Sequence, residues 1–228
     1  MFPLKDIQPS YSRPVVTTLL IAANILVFLF EWSLPEYSRH YLSRSALIQM
    51  YGLTPDHFRL SSLVTSMFLH GGWMHVLGNM LYLWVFGNRL EDALGHGKFL
   101  IFYLLCGVAA ALAQVLLNPF STLPIVGASG AIAGVMGAYL LKFPSARILT
   151  LVFIVIFATT FEIPAVILLG YWFIIQLFSG LGSIAQTNLS TGGVAWFAHV
   201  GGFLAGMVLV KVMGTRDRQR YYSRRDLY

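Results

Sequence analysis

The residues able to do chemistry in this sequence are few, and they sit in apolar surroundings where polar groups are costly. His70, His75 and Asn79 fall in HGGWMHVLGN at the head of one apolar run. Ser129 lies in Gly127-Ala128-Ser129-Gly130, which opens another, and His199 lies in AHVGGFLAG within a third. A hydroxyl in hydrogen-bond reach of an imidazole is an activated nucleophile, because the ring takes the hydroxyl proton as the oxygen attacks. A third group usually orients the base, but no Asp falls inside an apolar run. The expectation is therefore a Ser129–His199 dyad. His75 and Asn79 are four residues apart, hence on one helix face. Both can donate hydrogen bonds, as a developing oxyanion requires. The backbone N–H of Ser129, near a helix N-terminus, is a further donor.

Such residues need elements to position them, and composition says what those elements are. The chain has 228 residues, 57% hydrophobic and only 11% charged, with a mean hydropathy of +0.71. A soluble domain carries roughly 25% charged residues. Intrinsic disorder is excluded for the same reason. A single cysteine, Cys106, excludes a disulfide scaffold and a multi-cysteine metal site. The chain reads as an all-α integral membrane protein with one transmembrane domain over 1–213 and a basic tail over 214–228.

A spanning helix needs about 20 apolar residues. Runs of that kind fall near 14–31, 73–90, 97–117, 128–142, 163–179 and 194–213, which predicts six spans. Glu162 and Pro164 interrupt the stretch 148–178. Its first part, 148–161, is rich in β-branched and aromatic residues and reads as an extended or interfacial connector. A seventh crossing by 148–161 is the alternative, which its length disfavours. The first run is followed directly by Glu31-Trp32, without a small-residue cleavage site, and reads as a retained span. The connection over 32–72 is long and dense in Tyr, Leu, Met and Phe, which predicts short helices in the outer interface.

Charge sets the orientation. With the N-terminus cytoplasmic, only Arg39, Arg44 and Arg59 of the 15 Lys and Arg lie on the outer face. This is the positive-inside pattern. It assigns the net charge of +6 to anionic headgroups rather than nucleic acid.

Depth follows from a rise of 1.5 Å per residue. Measured from Arg89, Lys142 and Lys211, the candidates lie at ~21 Å for His75, ~15 Å for Asn79, ~20 Å for Ser129 and ~18 Å for His199. All four fall in the outer half of a core about 30 Å thick. Gly130, Gly134 and Ala138 recur every four residues, as do Ala198, Gly202 and Gly206. Small residues at this spacing let two helices touch along their backbones. Pressing the two stripes together carries Ser129 toward His199. Glu162 reads as part of the cytoplasmic-side connector, and Trp172 as packing or lipid contact.

The three stretches at 70–79, 127–130 and 198–206 resemble the signature motifs of the rhomboid intramembrane serine proteases. Six spans in this order with a long first loop are similar to the basic bacterial form, a six-helix rhomboid-like bundle. The resemblance runs from Arg13-Pro14 to Lys211. It implies that Ser129 is the nucleophile, His199 the base, and His75 and Asn79 the oxyanion hole. It places His70 near the site in support of loop structure, with Gly127, Gly130, Gly202 and Gly206 as supporting glycines. Arg59 falls where the family usually has Trp-Arg, but Phe58 precedes it here. Some members carry a Tyr four residues after the serine, under the histidine; this chain has Ala133.

The activity implied is a serine endopeptidase that cuts transmembrane segments of other proteins near their outer ends. Its partners would be those substrates and the lipid bilayer, with no cofactor, no metal and no nucleic acid. The location implied is a bacterial inner-membrane type, multi-pass, with both termini cytoplasmic. The fifth span is the expected movable side, since it carries no predicted catalytic residue. A non-catalytic relative that binds membrane helices is the alternative. A transporter is disfavoured by the absence of deep Asp, Lys or Arg, and a metalloprotease by the absence of HExxH.

Overall fold

The structure is a computed structural model and describes residues 1–8, 10–38, 41–154, 157–185 and 195–215. Arg39, most of the loop before 195 and the basic tail beyond 215 lie outside the described residues. In chain order the elements are β1 (Phe2–Asp6), α1 (Val15–Ser33), α2 (Arg44–Tyr51), α3 (Ser62–Thr65), α4 (Trp73–Leu94) and α5 (His96–Leu117). They continue with α6 (Ser129–Lys142), β2 (Arg147–Ile154), β3 (Phe157–Pro164), α7 (Ala165–Ala185) and α8 (Trp196–Met213).

The protein is mostly helical, and its long helices follow the apolar runs. Pro14 precedes α1, a position where its missing N–H costs nothing. Gly95 alone separates α4 from α5, at a φ of 81°. A glycine accepts that left-handed conformation without strain, so one residue ends one helix and starts the next. Helices α1, α5, α8 and the Ala165–Gly182 part of α7 are long and apolar enough to cross a membrane. Helix α4 carries Arg89, Glu91 and Asp92 toward its end.

Helix α6 is the centre of the bundle: every residue from Gly130 to Tyr139 is buried. Its 14 residues reach only ~21 Å, less than a hydrocarbon core of about 30 Å. Its first residue is Ser129. The helix lies backbone to backbone against α8. A Cβ at Gly202 would land on the carbonyl oxygen of Gly130, and one at Gly206 on that of Gly134. A Cβ at Gly137 would strike the backbone of Phe203.

One expectation needs correcting: the fold is not all-α. Strands β1, β2 and β3 form a three-stranded antiparallel sheet in that order. The connector 148–161 is extended, as its β-branched and aromatic residues suggest. It doubles back, Arg147 facing Pro164 and Ile154 facing Phe157, so it does not cross as a seventh helix. Glu162 lies exposed on β3. The unforeseen part is β1, which adds to the free edge of β2. Asp6 at its end accepts hydrogen bonds from the Tyr139 hydroxyl and from Arg89 Nη1, whose guanidinium lies 4.1 Å from the Phe143 ring centroid.

The long first loop forms the short helices α2 and α3. Arg44 pairs with Glu36 and lies over the Trp32 ring. Leu53 bridges to Ile125, so this loop is tied to the segment entering α6.

The sheet end of the bundle is closed by carboxylates. Glu91, fully buried, accepts from the backbone N–H groups of Val16 at 2.8 Å and Thr17 at 2.7 Å. These are first-turn donors of α1, which lack intrahelical partners. His96 Nδ1 bonds the same carboxylate at 2.5 Å. Glu91→Ala should therefore lower stability by about 2–3 kcal/mol, since hydrogen bonds to a buried charged group are worth more than neutral ones. Thermal unfolding in detergent checks this. Glu91→Gln, which keeps one acceptor oxygen, should lose less.

Candidate active site

Ser129 opens α6 and borders an open space at that end of the helix. A cavity of about 520 Å³ lies there, lined by His75 and Asn79 of α4, Ser129 of α6, Trp172 of α7 and His199 of α8. Its volume lies in the range of ligand clefts, roughly 300–1,000 Å³.

Ser129 Oγ lies 2.8 Å from His199 Nε2. The other ring nitrogen, Nδ1, lies 2.7 Å from Oε1 of Gln176. An amide oxygen only accepts, so Nδ1 carries the ring proton and Nε2 presents its lone pair to the serine hydroxyl. The arrangement is that of an acceptor base beside a nucleophile. Trp172 stacks obliquely beside the imidazole, with centroids 5.8 Å apart, and Trp196 meets it edge-on at 6.3 Å.

The opposite wall supplies donors. His75 Nδ1 accepts from the Gly71 N–H at 3.4 Å, which leaves the ring proton on Nε2. Gly127 sits against that nitrogen: its φ is 124°, and a Cβ there would lie 2.6 Å from His75 Nε2. Both backbone and space therefore demand glycine at 127. Asn79 Nδ2 lies 3.0 Å from His70 Nε2. Burial, then the neighbouring His75, push His70 down to about 4, so its ring is neutral and can accept from the amide. One amide hydrogen of Asn79 is thus spent on His70, and the second remains for the cavity.

The structure brings Ser129, His199, His75 and Asn79 around one cavity. His70 lies behind Asn79, fully buried, and its backbone N–H bonds Glu31 at 3.1 Å. Gly127 supports the His75 ring, while Gly130, Gly202 and Gly206 set the α6–α8 contact. Arg59 is not brought to the site. It is exposed, and Nη1 bonds the Met50 carbonyl at 3.0 Å, which fastens the first loop to the end of α2.

Three polar residues at the site escape a reading of the sequence. Gln176 holds the imidazole; Glu31 holds the loop at His70; Gln114 Oε1 accepts the Ala198 N–H at 3.1 Å and anchors the start of α8. Gln114 and Gln176 are polar residues inside apolar runs and Glu31 directly follows one, and that was the available signal. Trp172 also differs from a lipid contact: it packs on His199 and Phe203 and walls the cavity.

The chain is similar over most of its length to proteins of known family. The chain is 32% identical over 193 residues to Rhomboid protein 1, mitochondrial, of Saccharomyces cerevisiae, covering 83% of this chain and 50% of that one. It is 29% identical over 206 residues to Rhomboid protease GluP of Bacillus subtilis, covering 89% of this chain and 35% of the relative. With Presenilin-associated rhomboid-like protein, mitochondrial, of Homo sapiens it shares 32% over 148 residues, 63% of this chain and 36% of the other. The chain spans half or less of the length of these relatives. Residues 57–216 match the rhomboid domain, and this stretch contains the cavity-lining His75, Asn79, Ser129 and His199, so the chain belongs to the rhomboid family.

Proposed function

We propose that this chain is an intramembrane serine endopeptidase working through a Ser129–His199 dyad. The observation that carries the reading is the 2.8 Å contact between Ser129 Oγ and His199 Nε2 at the wall of the cavity. Ser129 Oγ attacks a peptide carbonyl as His199 Nε2 takes the hydroxyl proton. The oxyanion is met by His75 Nε2–H, the free N–H of Asn79 and the Ser129 backbone N–H. His199 returns its proton to the leaving amine, and water then cleaves the acyl-enzyme with His199 again as base. The substrate presents an unwound segment, because helical carbonyls are already hydrogen-bonded. Transmembrane proteins with helix-breaking and small residues near the cut fit that need.

In this reading α1, α4, α5, α6, α7 and α8 are the six membrane-embedded helices, α6 the shortest, both termini face the cytoplasm, and the cavity opens to the outer side of a bacterial cell membrane. Residues 1–213 form the transmembrane domain and 214–228 a basic tail at anionic headgroups.

Labelling with a fluorophosphonate tests the reading. The parent should be labelled and Ser129→Ala should not. A parent that is neither labelled nor active on single-span substrates would be a non-catalytic binder of membrane helices. Within the active protein, Asn79→Ala should reduce kcat by about 10²–10³, as loss of one oxyanion donor does. Steady-state cleavage of a single-span substrate measures it. An unchanged rate when both His75 and Asn79 are replaced by Ala would remove them from the oxyanion hole.

A further inference from the structure

We infer that Gln176 of α7 is the positioning residue of the base, holding His199 in the one tautomer that can accept the Ser129 proton. The inference rests on the dyad reading above. Gln176 is 6% exposed, and its amide oxygen lies 2.7 Å from His199 Nδ1. Among the described residues no charged side chain takes that place: the contact opposite Ser129 is a neutral amide. Ala133, one turn into α6, offers only a methyl group. If the amide were reversed, its NH₂ would face Nδ1, the ring proton would move to Nε2, and the imidazole could no longer accept from the hydroxyl. The orientation of one amide therefore sets the competence of the dyad.

The residue that does this stands on α7, whereas the nucleophile and base stand on α6 and α8. Between Gly170 and Gly182, Gln176 and Gly180 are the buried residues of α7 among those described. Most of that stretch faces away from the bundle. The bond from Gln176 thus ties the inward face of α7 to the orientation of His199.

Three variants test this in the full chain, with serine labelling by a fluorophosphonate and cleavage of a single-span substrate. Gln176→Leu keeps the volume and removes the acceptor. It should lower kcat and the labelling rate by about 10–10²-fold, the range expected when a reacting group is displaced by about 1 Å, with KM unchanged. Gln176→Glu presents an acceptor oxygen in either orientation and should restore both rates. Gln176→Ala should resemble Gln176→Leu in rate, which separates the missing acceptor from a change in packing. Parental kcat and labelling in Gln176→Leu would overturn the inference, as would failure of Gln176→Glu to restore either rate. An unlabelled, inactive parent would instead overturn the dyad reading itself.

Discussion

Ser129→Ala and His199→Ala are each expected to lower cleavage by about 10⁴-fold or more while leaving the protein folded. Removal of either member of such a pair disables the same step, so the double variant should be no slower than either single one. The residual rate should still exceed the uncatalysed one, because the donors at His75 and Asn79 remain in place to stabilise an oxyanion. Single-turnover cleavage in detergent resolves these rates. Full activity in His199→Ala would show that another group takes the proton from Ser129. Additive losses in the double variant would show that Ser129 and His199 act in separate steps.

Gly202→Val should lose activity and stability together without touching a catalytic group. A Cβ at 202 would land on the carbonyl oxygen of Gly130, the residue next to Ser129. Nothing flexible can give way there, because the obstacle is backbone. Helices α6 and α8 must part, and a shift of about 1 Å at a reacting group costs on the order of 10² in rate. Overpacking of this kind also costs roughly 1–3 kcal/mol. Leu204, 49% exposed, is the control: Leu204→Val should leave both quantities near the parent. Cleavage rate and thermal midpoint in detergent decide. If Gly202→Val matches the parent in both, close approach of α6 and α8 does not position Ser129.

Much of this arrangement is legible in the residues, for definite physical reasons. Long apolar runs mark helices because the backbone must satisfy its own hydrogen bonds away from water. The stripes at Gly130 and Gly202 mark a contact because only small side chains allow it. Together with shared depth they bring Ser129 to His199. The partner of His199 on α7 is less legible. That helix is apolar nearly all round, so no amphipathic pattern shows which face turns inward. Gln176 marks that face, but an uncharged amide carries a weaker signal than the histidines do. Arg59 is placed by the resemblance alone, since its own neighbours do not declare a partner; the structure gives it the Met50 carbonyl at the end of α2. The pairing of β1 is hidden by distance: Phe2–Asp6 is too short to declare a strand, and its partner lies far along the chain.

That last pairing carries a kinetic consequence. Asp6 faces Ile148, about 140 residues later. At a synthesis rate of about 5–20 residues per second, β1 waits on the order of ten seconds before β2 exists. Its edge cannot be covered during that time, and the hydroxyl of Tyr139 that Asp6 finally meets is also made late. Helices α1, α4 and α5 join sequence neighbours and can assemble first, because local contacts close at small entropic cost. The sheet then closes only once β2 and β3 have been made, with α7 and α8 still to follow. A chain halted after α5 would carry its helices and an unpaired strand, the kind of exposed edge by which an unfinished protein is recognised or lost to aggregation.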